Sequence, residues 1–286
     1  MPESSRSAQP QIISDDVATL LDLDPLDRQG AEALLQQSIG SPGVAEALGV
    51  LEARLGTFPS GPPTSELAQD VWICAMVLFA PRVQQWHLGQ SVDDEISRAT
   101  LADVGRQFRL HRITHGEFGL ETWWWLSNHL AGGCFELGRL HVILRRLSPG
   151  EPSPPRNPQW ILDVHIPPTG PLTHAAVESS FAQAIPFFRR HFPDRPADTA
   201  VCFSWLLDPY LAEHLPTSNI ARFQQLFHRH GEDRPSQKDA IYFVFRTRNL
   251  DDLDRLPRDT ALQRLVLDRI AAGGTWQCCH GFRHLA

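Results

Sequence analysis

The sequence predicts a mixed α/β protein (α+β or α/β), in which an all-helical N-terminal domain precedes a mixed β-sheet flanked by helices. Three observations predict this fold class. Apolar residues recur every three to four positions through the first 115 or so residues, as in amphipathic helices. From Phe135 onward, apolar and polar residues alternate instead, as in half-buried strands. Residues 160–207 then follow the pattern strand, turn, helix, strand, which predicts a βαβ unit with two parallel, neighbouring strands.

These patterns divide the chain into a disordered tail at 1–13, a helical domain at 14–118 and a sheet domain at 119–286. Two helix start signals support the helical domain: Asp24 precedes Pro25 and Ser41 precedes Pro42, which is the order of an N-cap residue and a proline at the first helical position. Further helices are predicted at 65–79 and from Thr100 or Leu101 to His115.

The sheet domain is predicted in more detail. Phe135–Leu137 and Leu140–Leu144 alternate in opposite phase around Gly138 and Arg139, which we interpret as one long strand with a bulge. The remaining predicted elements are a strand at 199–207, a short helix after Asp208, a helix from Ser218 or Asn219 that stops at Gly231, a strand at 240–246, a helix from Asp259 or Thr260 to Ala272, and a last strand at 276–282.

Composition excludes several classes of protein. The net charge of -7 and the pI of about 6.0 argue against a nucleic-acid partner. Five cysteines, an odd count, argue against a disulfide framework and favour a reducing, cytoplasmic environment. Residues 1–10 lack the apolar segment of a signal peptide, and the longest apolar run, 71–80, is too short to cross a membrane.

We predict no metal site. His111 and His115 stand four positions apart on a helix, but the intervening residues do not form a zinc-protease motif. The Cys278-Cys279-His280 segment has a metal-like composition, yet adjacent cysteines on a strand point to opposite faces.

The most informative segment is 160–193. Its strand, 160–166, carries Asp163 and His165 on one face. A turn rich in proline follows, and Thr173 then has the position of an N-cap for a long helix. Because a helix N-terminus offers unpaired N–H groups and a positive dipole end, this arrangement is typical of a phosphate site.

Four segments carry a resemblance to known proteins: Leu137-Gly138-Arg139-Leu140, His165-Ile166-Pro167, Ser204-Trp205-Leu206-Leu207-Asp208-Pro209 and Ser218-Asn219-Ile220-Ala221-Arg222-Phe223. They resemble a family of bacterial acyltransferase-like proteins, which have a helical N-terminal domain and a C-terminal domain similar to the GNAT-type N-acyltransferase fold. The resemblance extends over roughly 101–277, and the first hundred residues agree by helical content alone.

The resemblance implies an N-acyltransferase that uses acyl-CoA, such as acetyl-CoA, as cosubstrate, with no metal. An amine of a small molecule or peptide would attack the thioester directly. In such proteins two parallel strands splay apart around the pantetheine arm, and the pyrophosphate rests on the turn after the first strand. The matching strands here are 164–166 and 201–205. The implied coenzyme-binding residues are Val164, Ile166, Thr169, Gly170 and Thr173, together with Asn219 and Arg222 at the nucleotide end or at a substrate carboxylate.

Four side chains are candidate catalytic groups, and three of them have an ordinary structural alternative. Asp163 and His165 are candidate acid/base residues or part of a hydrogen-bonded sheet face. Ser204 is a candidate proton donor to the leaving thiolate or a backbone-bonded strand hydroxyl. Glu136, placed before the predicted bulge, is a candidate base.

Two features depart from the family pattern. The usual pyrophosphate turn, Arg/Gln-x-x-Gly-x-Gly/Ala, is reduced here to Gly170 among three prolines, which lack N–H donors. Phe203 occupies a position where many relatives have histidine. The alternative hypothesis is therefore a non-catalytic protein of the same fold that binds a small molecule or partner in the interdomain cleft. A donor other than acyl-CoA is a third reading.

Overall fold

The structure is a computed structural model that describes residues 12–285. Most of the predicted tail, 1–13, lies outside the described residues. The helical part of the chain comprises α1 (Asp15–Leu20), α2 (Pro25–Ser38), α3 (Pro42–Arg54), α4 (Gln69–Gly89), α5 (Asp94–Leu101), α6 (Asp103–His115) and α7 (Trp123–Leu130).

The predicted helix starts are confirmed at two places. The Asp24 carboxylate accepts a hydrogen bond from the Asp27 N–H, and the Ser41 hydroxyl accepts one from the Val44 N–H. The helix predicted at 65–79 instead starts at Gln69 and continues through Pro81 to Gly89. It is the central helix of this half, because its buried residues occupy nearly every face. The helix predicted from Thr100 or Leu101 to His115 is α6, which begins at Asp103, and a separate helix, α5, ends just before it at Leu101.

A six-stranded sheet forms the second half of the described chain, in the order β1-β2-β3-β4-β6-β5. All neighbouring strands are antiparallel except β3 and β4, which are parallel, so the predicted βαβ unit is confirmed. The elements are β1 (Cys134–Leu137), β2 (Leu140–Arg145), β3 (Ile161–His165), α8 (His174–His191), β4 (Thr199–Ser204), α9 (Pro209–His214), α10 (Asn219–Gln224), β5 (His228–Pro235), α11 (Gln237–Phe245), α12 (Ala261–Ala271) and β6 (Gln277–His284).

The long bulged strand predicted around Gly138 is wrong. Leu137 pairs directly with Leu140, so β1 and β2 form a hairpin with Gly138 and Arg139 at its turn. Gly138 has φ of 68°, a left-handed conformation that tight hairpin turns require and that glycine adopts without strain. The reversal of alternation phase is equally the signature of a two-residue hairpin. Glu136 therefore lies in β1 beside a hairpin turn rather than before a bulge.

Two predictions near the C-terminus are also wrong. The strand predicted at 240–246 is helix α11, in which the adjacent residues Ala240 and Ile241 are both buried, a pattern that a helix face allows. The helix predicted to stop at Gly231 ends at Gln224, and Gly231 lies inside β5. Tertiary packing overrides local propensity in both segments.

Helix α8 and the sheet enclose the core that positions the site. Phe181 and Phe188 of α8 pack with Phe135 of β1 and Leu162 of β3 in one buried cluster. Because this cluster fixes β3 from one side, the side chains of Asp163 and His165 face the other side, toward the helical domain. None of the helices within residues 12–285 has the length and hydropathy needed to span a bilayer.

Candidate active site

The parallel strands β3 and β4 separate soon after they meet. Their register contains only the pairs Leu162–Ala200 and Asp163–Val201. Beyond that point β3 continues to pair with β2, and β4 continues to pair with β6. The β4-facing backbone groups after Asp163 therefore have no strand partner, and an extended ligand with amide groups can pair with them.

A cavity of about 800 Å³ opens at this gap, and we call it the splay cavity. It extends from the divergent strand ends to the N-termini of α10 and α12. Its lining comprises Arg139, Val164, His165, Ile166, Pro167, Pro168, Gly170, Leu172, Phe203, Ser204, Trp205, Leu206, Leu215, Thr217, Ser218, Asn219, Ile220, Asp239, Phe243, Val244, Arg246, Thr260, Ala261, Leu262, Gln263 and Cys278.

A second cavity, of about 780 Å³, lies between the sheet and the helical domain, and we call it the interdomain cleft. Trp124 and Trp125 of α7 form part of one wall, and Asp163, His165 and His280 of the sheet form part of the other. The two cavities share residues at the strand gap, among them Val164, His165, Pro168 and Phe203. Two ligands, one bound in each cavity, would therefore meet beside the side chain of His165.

The His165 imidazole packs against the face of Trp125, with ring centroids 3.9 Å apart. Burial, the largest cause, and the nearby His141 together lower its pKa to about 3, against the opposing effect of the negative charge of Asp103. The ring is therefore neutral at physiological pH, the protonation state that a general base requires.

A buried polar network lies behind His165. The His141 ring, 5.9 Å from that of His165, shares a hydrogen bond of 2.9 Å between its Nε2 and the Glu136 carboxylate. Arg106 donates to the same carboxylate at 3.1 Å. Burial alone would raise the pKa of Glu136, but the bonds from His141 and Arg106 hold it below its usual range.

Asp103 is the charged centre of this network and is fully buried. Its carboxylate accepts hydrogen bonds from Arg106 at 2.6 Å and from the Trp125 indole N–H at 3.3 Å, and it lies 3.3 Å from His129 Nε2. Burial would raise the pKa of Asp103, but the surrounding histidines and Arg106 lower it to about 2. The Asp103 carboxylate of the helical domain therefore stays ionised at physiological pH and lies close to the histidines of the site.

Asp163, the other candidate on the same strand face, already has a partner. Arg145 Nε donates to its carboxylate at 2.7 Å, and the same guanidinium binds Glu151 through two further bonds. Burial nevertheless raises the pKa of Asp163 despite the opposing charge of Arg145. Asp163 lines the interdomain cleft, so a role there remains a prediction.

Ser204 lies at the end of β4 and lines the splay cavity. Its hydroxyl oxygen accepts a hydrogen bond from the Leu206 N–H at 3.1 Å, which leaves the hydroxyl hydrogen for another acceptor. Ser204 can therefore serve both as a backbone cap and as a donor to a ligand in the cavity.

The predicted coenzyme-binding residues divide into two groups. Those that line the splay cavity are Val164, Ile166, Gly170 and Asn219. Thr169 and Arg222 are exposed side chains outside its lining, and Thr173 caps α8 by accepting from the Ala176 N–H at 3.3 Å. The N-cap of α10 is Ser218, so Asn219 is the first residue of that helix.

Phe203 is 43% exposed, and its ring stacks on His280 of the neighbouring strand at 4.1 Å between centroids. His280 therefore brings an imidazole close to the position where the family resemblance implied one. Burial lowers the pKa of His280, so this ring is also neutral at physiological pH.

The histidines and cysteines favour a metal-free reading. His129, Cys134 and His141 have ligand atoms within 4.8 Å of one another. Burial raises the pKa of the Cys134 thiol well above its usual range, so this thiol carries its proton at physiological pH in the metal-free protein. The Arg106 guanidinium, 3.5 Å from His141 Nε2, would also repel a cation. Cys278 and Cys279 pack into different clusters on opposite faces of β6, as predicted.

Parallel strands that splay apart around an open cavity are the arrangement that the resemblance to the GNAT-type fold implied. Comparison with protein families agrees, because residues 134–283 match the GNAT-like C-terminal domain and residues 14–132 match the N-acyltransferase N-terminal domain. The chain belongs to this N-acyltransferase, GNAT-like family. Among proteins with curated functions, no sequence matches the chain.

Solved structures that resemble the chain are acyltransferase complexes. A mutant acyltransferase with octanoyl-CoA is 26% identical, with a TM-score of 0.81, and the match covers 95% of this chain and 87% of that one. An acyltransferase with decanoyl-CoA and teicoplanin is 27% identical, with a TM-score of 0.79 and coverage of 98% and 91%. A complex with CoA and 10C-teicoplanin is also 27% identical, with a TM-score of 0.79 and coverage of 95% and 87%. The expected fold and the class of acyl-CoA-dependent acyltransferase are thereby confirmed.

The sequence reasoning missed several residues of the site. His141, Arg106 and Asp103 form the network behind His165, and Arg139 contacts the proline-rich turn. The i, i+3 spacing of Asp103 and Arg106 on one helix was a readable signal of an ion pair. The approach of His141 to this pair required knowledge of the hairpin. Trp124 and Trp125 of α7 line the interdomain cleft.

Proposed function

We propose that the protein transfers an acyl group from acyl-CoA, bound in the splay cavity, to an amine of a small molecule bound in the interdomain cleft. The observation that carries the proposal is that both cavities reach His165 at the point where β3 and β4 separate. Solved structures similar to the chain bind octanoyl-CoA and decanoyl-CoA, which favours a medium-chain acyl group. Two of them also bind teicoplanin or 10C-teicoplanin, which favours a small-molecule acceptor over a protein.

In this proposal the pantetheine arm runs along the unpaired edge of β3. Its amides pair with backbone groups after Asp163, where β4 has separated. The thioester carbonyl then lies near the end of β3, where a backbone N–H can polarise it. The adenosine end extends toward α10 and α12, whose N-termini line the far part of the cavity.

The acceptor amine attacks the thioester carbon, so a C–N bond forms and the C–S bond breaks. His165 is the proposed base, which takes the proton released from the amine nitrogen. The Ser204 hydroxyl is the proposed donor of a proton to the leaving thiolate, and solvent restores that proton. Asp103 offsets part of the cost of positive charge on the His165 ring, because its carboxylate stays ionised and acts on that ring.

The open splay cavity argues against the alternative of a non-catalytic binding protein. A protein that had lost the coenzyme would be expected to fill the gap between its strands with side chains. Here the cavity at the gap has a volume of about 800 Å³ and shares lining residues with the second cavity.

The test is a transfer assay with octanoyl-CoA and a panel of amine-bearing small molecules. Release of the CoA thiol, together with a mass increase of one octanoyl group on the acceptor, would support the proposal. Thiol release without an acylated product would identify hydrolysis and contradict it. His165→Ala and His280→Ala, assayed in parallel, decide which imidazole of the cleft is the base.

A further inference from the structure

Arg139 forms a clamp on the proline-rich turn that follows β3. From the β1–β2 hairpin, its guanidinium donates to three carbonyls of that turn. The bonds run to Pro167 at 2.8 Å, to Gly170 at 2.8 Å and to Pro171 at 3.2 Å. These bonds use one N–H on each guanidinium nitrogen, so two of its five N–H groups remain for a ligand.

The clamped carbonyls belong to the part of the turn with the fewest donors. Pro167 precedes Pro168 and Gly170 precedes Pro171, so neither of these two peptide units carries an N–H. Such units present only the negative end of a carbonyl dipole, which repels a phosphate. Because Arg139 binds both carbonyls, a phosphate at this turn meets a positive charge instead.

This charge is not neutralised by an acidic side chain. Within the described part of the chain, no carboxylate forms an ion pair with Arg139. Burial lowers its pKa from the ordinary value, and Glu136 acts in the opposite direction, yet an arginine remains a cation at physiological pH. Arg139 lines the splay cavity beside Gly170, where an anionic ligand would complete its coordination.

The clamp is held in place before any ligand arrives. The Arg139 backbone N–H donates to the Ser180 hydroxyl at 2.8 Å, and Ser180 is fully buried in α8. A Cβ on Gly138 would lie 3.2 Å from the same hydroxyl, so the hairpin turn packs closely on the helix that begins after the proline-rich turn. Hairpin, turn and helix are therefore fixed as one unit.

We infer that Arg139 binds the diphosphate of the acyl-CoA donor while it holds the proline-rich turn, and that it supplies the positive charge that this turn otherwise lacks. The inference rests on the proposed function, because it assumes that the splay cavity holds acyl-CoA. It assigns to a side chain of the hairpin the part that turn N–H groups play in the family pattern described above.

Two donors that differ only at the diphosphate end test this assignment. Octanoyl-CoA and S-octanoyl-pantetheine share the acyl group and the pantetheine arm, and calorimetry measures the Kd of each without an acceptor. Arg139→Ala should weaken octanoyl-CoA binding by about 10- to 100-fold, the range of a charged hydrogen bond, and change S-octanoyl-pantetheine binding by less than about threefold. Arg139→Lys, which keeps the charge but not the planar fork, should fall between Arg139→Ala and the wild type.

Arg189→Ala is the matched control, because it removes one exposed positive charge from α8 outside the splay cavity and should leave both affinities unchanged. If Arg139→Ala does not fold, Arg139→Gln gives the same comparison, because its amide N–H groups can still donate to the turn carbonyls while the charge is removed. Equal weakening of both donors would mean that Arg139 only shapes the turn, and unchanged octanoyl-CoA binding would place the diphosphate elsewhere. Either result overturns the inference.

Failure of the proposed function gives a different result. Wild-type protein that binds octanoyl-CoA through Arg139 but acylates no amine would contradict the proposed function and leave the assignment of Arg139 intact. Wild-type protein that binds neither donor would overturn both.

Discussion

Replacement of His165 by alanine tests the centre of the proposed mechanism. A general base contributes about 10²- to 10⁴-fold to a rate, which corresponds to about 2.7–5.4 kcal/mol of activation free energy. Because burial lowers the pKa of His165 to about 3, the ring is a weak base, and we expect the lower end of this range. His165→Ala should therefore reduce kcat about 100-fold, with little change in KM for octanoyl-CoA.

The pH dependence gives a sharper version of the same prediction. A His165 pKa of about 3 means that the ring is neutral at every pH from 5 to 9. The rate should therefore rise with pH only as the acceptor amine loses its own proton, and His165→Ala should lower the whole profile without changing its shape. The assay is kcat/KM for octanoyl-CoA over this pH range, with His280→Ala as the matched control. A wild-type limb near pH 6.5 that disappears in the variant, or a variant with more than a tenth of wild-type activity, would refute the reasoning.

Three further predictions concern proton transfer and stability. Ser204→Ala should lower kcat about tenfold with octanoyl-CoA but less with an octanoyl thioester of a more acidic thiol, which needs less protonation on leaving; an equal loss with both would contradict the donor role. Asp103→Asn should lower the free energy of unfolding in urea by about 3 kcal/mol, since it removes the fully buried carboxylate of the Asp103–Arg106 pair and leaves Arg106 with Glu136 alone, whereas the exposed Asp94→Asn should change it by less than about 1 kcal/mol. Acid should destabilise the fold, because burial lowers the pKa of His87 to about 3 and of His129 to about 4. As the pH falls below about 6.5, these two rings take up protons in the unfolded chain but stay neutral in the folded chain. Stability present at pH 7 is then lost as the pH falls, by up to about 1.4 kcal/mol per pH unit for each ring, and a melting temperature unchanged between pH 7 and pH 5 would contradict it.

The βαβ unit was predictable because its signals are local and mutually consistent. The alternation of 160–166, the turn prolines and the Thr173 cap each indicate the same element order. The β1–β2 hairpin was harder to predict from the sequence. Reversal of the apolar/polar alternation at Gly138 and Arg139 fits either a bulged strand or a hairpin turn. Only the pairing of Leu137 with Leu140 distinguishes a hairpin from a bulge.

The candidate site was predictable only where it lies on one strand. His165 and Asp163 share a face in both the prediction and the structure, since strand geometry fixes which side each faces. The network that surrounds His165 comes from three elements distant in sequence, α6, α7 and the β1–β2 hairpin. No spacing rule brings Asp103 of α6 to His129 of α7, because their approach depends on how the helices pack.

The early separation of β3 and β4 has a consequence for stability as well as for catalysis. In the proposed complex the amides of acyl-CoA pair with the edge of β3 from which β4 has separated, so the cosubstrate binds the folded chain and not the unfolded one. At a donor concentration 100 times its Kd, this binding would add about 2.7 kcal/mol to the free energy of unfolding. The lifetime of the enzyme in the cell would then follow the supply of activated acyl groups, so that its abundance as well as its rate depends on them.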